Sequence, residues 1–205
     1  MILEMMAVGP IESNCYILGC EETGEAAVID PGAEGNKILE RLQQLGLNCK
    51  QIILTHGHVD HIGGLGQVQR ETGAQVLIHE KDADMLTDPN KNLSMFMGSD
   101  IRYKGADKML KDNDTINVGN IVLEVLHTPG HTPGGICLKT GDIVITGDTL
   151  FAGSVGRSDF PGGSHSTLIN SIKTRLLDYP DETKVYPGHG PASTIGAEKK
   201  SNPFL

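Results

Sequence analysis

The stretch "LTHGHVDHIGG" (residues 54–64) places three histidines and an aspartate, His56, His58, Asp60 and His61, within six consecutive positions. Imidazole nitrogen and carboxylate oxygen are donors that suit Zn, Fe, Mn or Co. A His-x-His pair lets one loop present two imidazoles to one ion. Asp60 and His61 then point to a second position nearby. A solvated polar loop is the ordinary reading of a lone histidine, but a His-x-His-x-Asp-His run directly after an apolar strand points to a metal. Three later stretches, "TPGHTPGG", "TGDTLF" and "YPGHGP", add His131, Asp148 and His189.

Each of these stretches follows an apolar, strand-like run: "QIIL", "IVLEVL", "IVI" and "KVY". The candidate donors therefore stand at or just past the carboxyl ends of strands. Strand ends on one edge of a sheet converge, and rigid strand ends make a well-fixed site. Short β-rich runs at 2–8, 14–18 and 25–30 predict an antiparallel meander. Ile38, Leu39, Leu42 and Leu45 recur at helical spacing, with Gly46 as the stop. A strand ending at His56, a short helix over "HIGGLGQVQRETG", a strand over "AQVLIHE" and a helix-like "KDADMLTD" follow. Residues 87–107 show no period and predict a surface excursion. Strands at 115–118, 120–126, 134–139 and 142–146 lead to a Gly-rich loop at 147–163. A helix capped by Ser164 and ended by Pro180, then a strand over "TKVYPGHGP", complete the order. Two mixed sheets packed together with helices outside satisfy it, as one α/β domain over residues 1–205.

Composition fits an ordinary globular protein, with 38% hydrophobic and 21% charged residues. The acidic excess, 26 against 17 basic residues for a net charge of −9, and the lack of a basic stripe count against a nucleic-acid partner. Cys15, Cys20, Cys49 and Cys137 form no C-x-x-C pair and read as reduced thiols. The start "MILEMMAVGP" lacks a basic segment and carries Glu4, so it does not read as a signal peptide, and no run is long enough to span a membrane. A cytoplasmic location is expected, with no membrane partner.

The order Thr-His-x-His-x-Asp-His, Gly-His, Gly-Asp, Gly-His resembles the metallo-β-lactamase superfamily. The likeness runs from "VIDPG" (28–32) to "PGHGP" (187–191). Within the superfamily the sequence is most similar to the short bacterial glyoxalase II-like hydrolases. The resemblance implies an αββα sandwich. It implies that His56, His58 and His131 hold a first metal, that Asp60, His61 and His189 hold a second, and that Asp148 bridges both. Asp60 and Asp148 are thereby the expected catalytic carboxylates. Asp30 resembles the family aspartate that supports the metal loop, and a turn aspartate ahead of Pro31 is an equal alternative. No cysteine stands at an expected ligand position, unlike the clinical β-lactamases with a cysteine ligand. His79 is expected at a cap or on the surface, and His127 and His165 in structural roles. Arg157 either pairs with Asp159 or meets an anionic substrate.

Two divalent ions about 3.5 Å apart can hold a water between them and lower its pKa towards neutrality. Zinc is the first expectation, with iron or manganese as alternatives. No G-x-S-x-G motif and no cysteine beside a histidine motif suggests a covalent nucleophile, so attack by metal hydroxide is the economical reading. The glyoxalase II resemblance implies a thioester of the S-lactoylglutathione type as small-molecule substrate. The chain ends soon after His189, so the C-terminal helical domain that grips glutathione in full-length enzymes is expected to be absent and carrier specificity relaxed. A one-iron persulfide dioxygenase, a lactonase and a non-catalytic metal module are the competing readings.

Overall fold

The computed structural model describes residues 1–205. Strands β1 (Ile2–Val8), β2 (Ser13–Gly19) and β3 (Glu25–Ile29) form the antiparallel meander that the sequence predicts. Helix α1 (Gly35–Gln44) returns the chain to β4 (Asn48–Ile53), and helices α2 (Val59–Ile62) and α3 (Leu65–Thr72) return it to β5 (Gln75–His79). After the excursion comes β6 (Lys108–Leu110), a strand too short to show a period. The first sheet has the order β1-β2-β3-β4-β5-β6, with β3 to β6 parallel.

The second sheet uses β7 (Thr115–Val118), β8 (Ile121–His127), β9 (Ile136–Thr140) and β10 (Ile143–Gly147). A small hairpin, β11 (Leu150–Phe151) with β12 (Ser154–Val155), interrupts the Gly-rich loop. Helix α4 (His165–Arg175) follows, with the Ser164 side chain accepting from the Thr167 amide at its start. Strands β13 (Lys184–Pro187) and β14 (Ser193–Thr194) and helix α5 (Ile195–Ser201) complete the chain. The order is β14-β13-β10-β9-β8-β7.

Side-chain alternation along the strands explains the four layers, because successive residues face opposite sides of a sheet. Tyr16, Leu18, Ala27, Ile29, Ile53 and Leu77 face Val125, Ile136, Leu138 and Ile145 between the sheets. Their neighbours Ile17, Val28, Ile52 and Val76 face outward onto Ile38, Leu42, Leu65 and Val68 of α1 and α3. On the far side Cys137, Val144 and Val185 pack on Leu168 and Ile172 of α4. This is the expected αββα sandwich. Truncating a residue such as Ile53 to Ala would cost about 2–5 kcal/mol.

Two expected helices differ. The "HIGGLGQVQRETG" run is broken into α2 and α3 at Gly63–Gly64. A Cβ on Gly63 would meet the Gly32 carbonyl at 2.4 Å, so the chain there passes too close to the β3 turn for any larger residue. The "KDADMLTD" run forms only a 3-10 turn, Ala83–Leu86. The Asp82 side chain at its start caps nothing in the turn and is bonded instead to the facing loop. The excursion over 87–107 carries one more 3-10 turn, Ser94–Met97.

Candidate metal centre

Strands β3, β4 and β5 run parallel, so Asp30, His56 and the His79–Asp82 turn emerge at one edge of the first sheet. In the second sheet β10 and β13 are parallel, and β8 points the same way because β9 is antiparallel to both its neighbours. Their ends deliver His131, Asp148 and His189 to the matching edge. Topology alone thus brings the four motifs together.

His56, His58 and His131 form one buried cluster of converging donors. His131 Nδ1 donates to the Arg157 carbonyl at 2.6 Å, which leaves its Nε2 a lone pair. The Thr55 hydroxyl gives its proton to Asp30 Oδ2 at 2.6 Å, so it accepts from His56 Nδ1 at 3.2 Å. His56 Nε2 is then also a lone pair, 3.3 Å from His131 Nε2, while His58 Nδ1 lies 2.9 Å from that same atom. Nitrogens this close need a shared cation or proton. Burial and the neighbouring histidines push His56 far below its ordinary value, and burial with His131 lowers His58 to about 3. Both rings therefore stay neutral, the form that binds metals.

The second cluster is Asp60, His61 and His189. His61 Nδ1 donates to Asp30 Oδ2 at 2.9 Å, fixing the tautomer as metal-bound histidines commonly require. Its Nε2 is buried without a hydrogen-bond partner, as is Asp148 Oδ1, 3.4 Å away. A lone pair and a carboxylate oxygen orphaned side by side form a cradle for a cation. A Cβ on Gly188 would sit 2.1 Å from Asp148 Oδ1, so only glycine leaves room for that carboxylate. Burial alone would lower His61, yet Asp148 and Asp60 outweigh it and raise the ring well above its ordinary value. The hydrogen bond with Asp60, at 3.2 Å, raises His189. Burial would raise Asp60 and Asp148, but the facing histidines hold both low and ionised. The cluster draws positive charge inward, the demand a divalent cation meets. Asp148 faces both clusters: its Oδ2 lies 3.6 Å from His131 Nε2 and 3.7 Å from His189 Nε2.

Every residue of the seven expected donors is thus in one place, and Asp30 lies behind it. Both Asp30 oxygens are occupied, by the Thr55 amide at 2.7 Å and by Thr55 Oγ1 and His61, so it orients rather than ligates. Asp30 adopts φ 51°, a left-handed geometry that aspartate tolerates better than most residues.

Sequence reasoning missed the supports whose partners are distant. Ser13 Oγ donates to the Asp60 carbonyl at 2.6 Å, and Asn14 Nδ2 donates to the Pro187 and Gly190 carbonyls around His189, both at 2.9 Å. Asp82, fully buried, accepts from Thr132 Oγ1 and from the Gly134 amide, each at 2.6 Å, and so grips the loop that carries His131. Burial lifts its carboxyl to about 6. His79 is buried rather than on the surface. It stacks on His127, with ring centroids 4.2 Å apart, and its Nδ1 accepts from the Lys81 amide. His127 Nε2 in turn donates to the Pro133 carbonyl at 2.9 Å, so this pair braces the same loop from outside the donor set. Arg157 pairs with Asp159 through two bonds of 2.8 Å.

A cleft of about 440 Å³ opens onto His58, Asp60, His131, Asp148 and His189, walled largely by apolar side chains. Residues 8–189 match the model of the metallo-β-lactamase superfamily. The chain belongs to that superfamily. It is 40% identical to a probable metallo-hydrolase, YqgX, of Bacillus subtilis, over 98% of this chain and 95% of the relative. It is 37% identical to the hydroxyacylglutathione hydrolase GloC of Haemophilus influenzae, over 100% and 98%. Among solved structures it is similar to the B3 metallo-β-lactamase BLEG-1, with TM-score 0.94 and 36% identity over 100% and 99% of the two chains. It is also similar to TTHA1623 in a di-iron-bound form, with TM-score 0.88 and 36% identity over 98% and 100%. A metallo-hydrolase with a His/Asp metal-binding cluster is what these findings support together.

Proposed function

We propose that this protein is a binuclear metal-dependent hydrolase of small thioesters of the S-lactoylglutathione type. The observation that carries the reading is Asp148, whose carboxylate faces two complete donor triads at once. His56, His58 and His131 would hold one ion, and Asp60, His61 and His189 the other. The likeness to a hydroxyacylglutathione hydrolase supports the thioester, and the likeness to a di-iron-bound protein supports two ions. Zinc suits the three-histidine triad, and iron or manganese suits the carboxylate-bearing one.

When bound, such ions supply Lewis acidity for the scissile carbonyl and a hydroxide nucleophile at neutral pH. The chain's own groups do the rest. Asp60 and Asp148 line the cleft in ionised form and are positioned to accept the proton of an attacking water. Asp30 and the Arg157 carbonyl hold His61 and His131 in the tautomers that present lone pairs. An acyl group seated between the apolar walls would displace water from the reacting centre.

Four free, buried cysteines support a reducing, cytoplasmic setting. No helix is long and apolar enough to cross a membrane. The net charge of −9 argues against a nucleic-acid partner, so no salt-dependent binding to RNA or DNA is expected. The test is turnover of a thioester panel by metal-loaded protein, run beside oxygen uptake with glutathione persulfide. Thioester cleavage without oxygen consumption supports hydrolysis. Oxygen consumption without cleavage would assign a dioxygenase instead.

A further inference from the structure

The wall facing the metal cluster holds an unusual set of side chains. Phe96 (77% exposed), Met97 (55%) and Ile11 (50%) are among the most exposed large apolar residues of the molecule, and all three line this one cleft. Phe96 and Met97 stand on the Ser94–Met97 turn. That turn is anchored at its base: buried Asn92 donates to the Met85 and Ile101 carbonyls, both at 2.9 Å, and its own carbonyl accepts from the Val59 amide at 2.9 Å. Val59 lies between His58 and Asp60. The apolar tip is therefore held in register with the metal loop while its side chains remain in water. Grouped in one cleft, such side chains mark a binding surface, and an occupant that covers them gains free energy.

The charges say what kind of occupant. Arg157 is the only lysine or arginine lining the cleft. Its Nε and one terminal nitrogen are bonded to Asp159, and its Cζ lies 3.7 Å from the Phe160 ring centroid. Beyond Phe96 a neighbouring cavity of about 520 Å³ carries Lys81 and Lys91, but also Asp82, Asp84 and Asp88, and Lys91 is paired with Asp84. A thiol portion bearing carboxylates or phosphates meets no free cation in the cleft and an acidic excess beside it.

Resting on the thioester hydrolysis proposed above, we infer that among such thioesters the cleft prefers those whose thiol portion is uncharged and apolar over the glutathione ester. Phe96 and Met97 determine that specificity, and Asp159 withholds Arg157 from anionic substrates. A small acyl group sits against the metal cluster and the thiol portion extends along the apolar wall. Water attacks the acyl carbon, the carbon–sulfur bond breaks, and the sulfur leaves with a proton as free thiol.

The experiment compares lactoyl thioesters of benzyl mercaptan, N-acetylcysteamine and glutathione on the metal-loaded protein. Burying an aromatic ring corresponds to a factor of about 10–100. The benzyl ester should exceed the glutathione ester in kcat/KM by about tenfold or more. Phe96→Ala should remove most of that advantage. Asp159→Ala should raise kcat/KM for the glutathione ester several-fold, by freeing Arg157. Calorimetry with uncleavable thioethers carrying the same thiol portions provides a readout that does not need turnover. It should show tighter binding of the benzyl compound with a negative heat-capacity change, lost in Phe96→Ala. A glutathione ester cleaved as well as or better than the benzyl ester would overturn this inference and leave the hydrolase standing. If no thioester is cleaved, the hydrolase reading falls, and the calorimetric ranking decides apolar recognition by itself.

Discussion

The His56–His58–His131 triad consists of three buried imidazoles, of which His56 and His58 resist protonation, whereas the Asp60–His61–His189 triad joins a carboxylate to two imidazoles that hold protons strongly. The first is set by neutral partners, the Thr55 hydroxyl and the Arg157 carbonyl. The second is set by carboxylates, Asp30 behind and Asp60 and Asp148 in front. It is also the more open, with the His189 and Asp60 side chains 27% and 17% exposed against 5% for His131 of the first. The difference teaches that two donor triads in one cleft need not be equivalent. Proton competition, hardness of the donors and access to solvent all separate them, and only Asp148 belongs to both.

The largest effect is expected where the distinction vanishes. Asp148→Ala should lower the content of both ions and cut hydrolysis by about 10³-fold or more, since Lewis-acid stabilisation is worth several kcal/mol. His56→Ala should empty the first triad selectively. Elemental analysis beside initial rates checks both. Equal and partial loss in the two variants would erase the special place of Asp148.

Acidification should separate the triads next. Raised values at His61 and His189 mean that protons compete for those rings at higher pH than for His56 and His58, of which His58 is lowered to about 3. As pH falls, the Asp60–His61–His189 ion should therefore leave first. Absorption spectra of cobalt-loaded protein over a pH series should change in two stages. Loss in a single stage would contradict the asymmetry.

Supports behind the donors give smaller effects, about 10–100-fold in metal affinity. Asp30→Asn should weaken chiefly the second triad, because an amide has one acceptor oxygen and cannot accept from the Thr55 amide on one side and from Thr55 Oγ1 and His61 on the other. Asp82→Asn should loosen the first triad through the His131 loop, at the lower end of that range. Metal titrations of the two variants should show opposite sites affected.

The smallest effect concerns His79. His79→Ala should lower stability by about 1 kcal/mol, typical of a buried substitution, with both ions retained. Loss of metal comparable to Asp148→Ala would place His79 in the donor network.

The contrast between donors and supports also explains what the sequence revealed. His56, His131, Asp148 and His189 were legible because each ends an apolar run beside Gly or Pro, and a strand end is a local property. The meander over β1 to β3 and helix α4 were legible for the same reason. Ser13, Asn14 and Asp82 were not, because each acts on a carbonyl, amide or hydroxyl brought near only by folding. Strands β6, β11, β12 and β14 are two or three residues long, too short to display a period of two. Helix α5 depends on buried Glu198, which accepts from the Gly153 amide at 2.9 Å, a tertiary contact behind the β11–β12 hairpin. His79 reads as polar, yet the His127 ring it stacks on comes from the other sheet.

The central proposal is two unlike ions on one bridging carboxylate, and metal content against pH tests it most directly. Protein loaded at neutral pH, dialysed over a descending pH series and analysed for metal should hold two ions per chain, then one over an intermediate range, then none. One ion at every pH, or two that leave together, would contradict it.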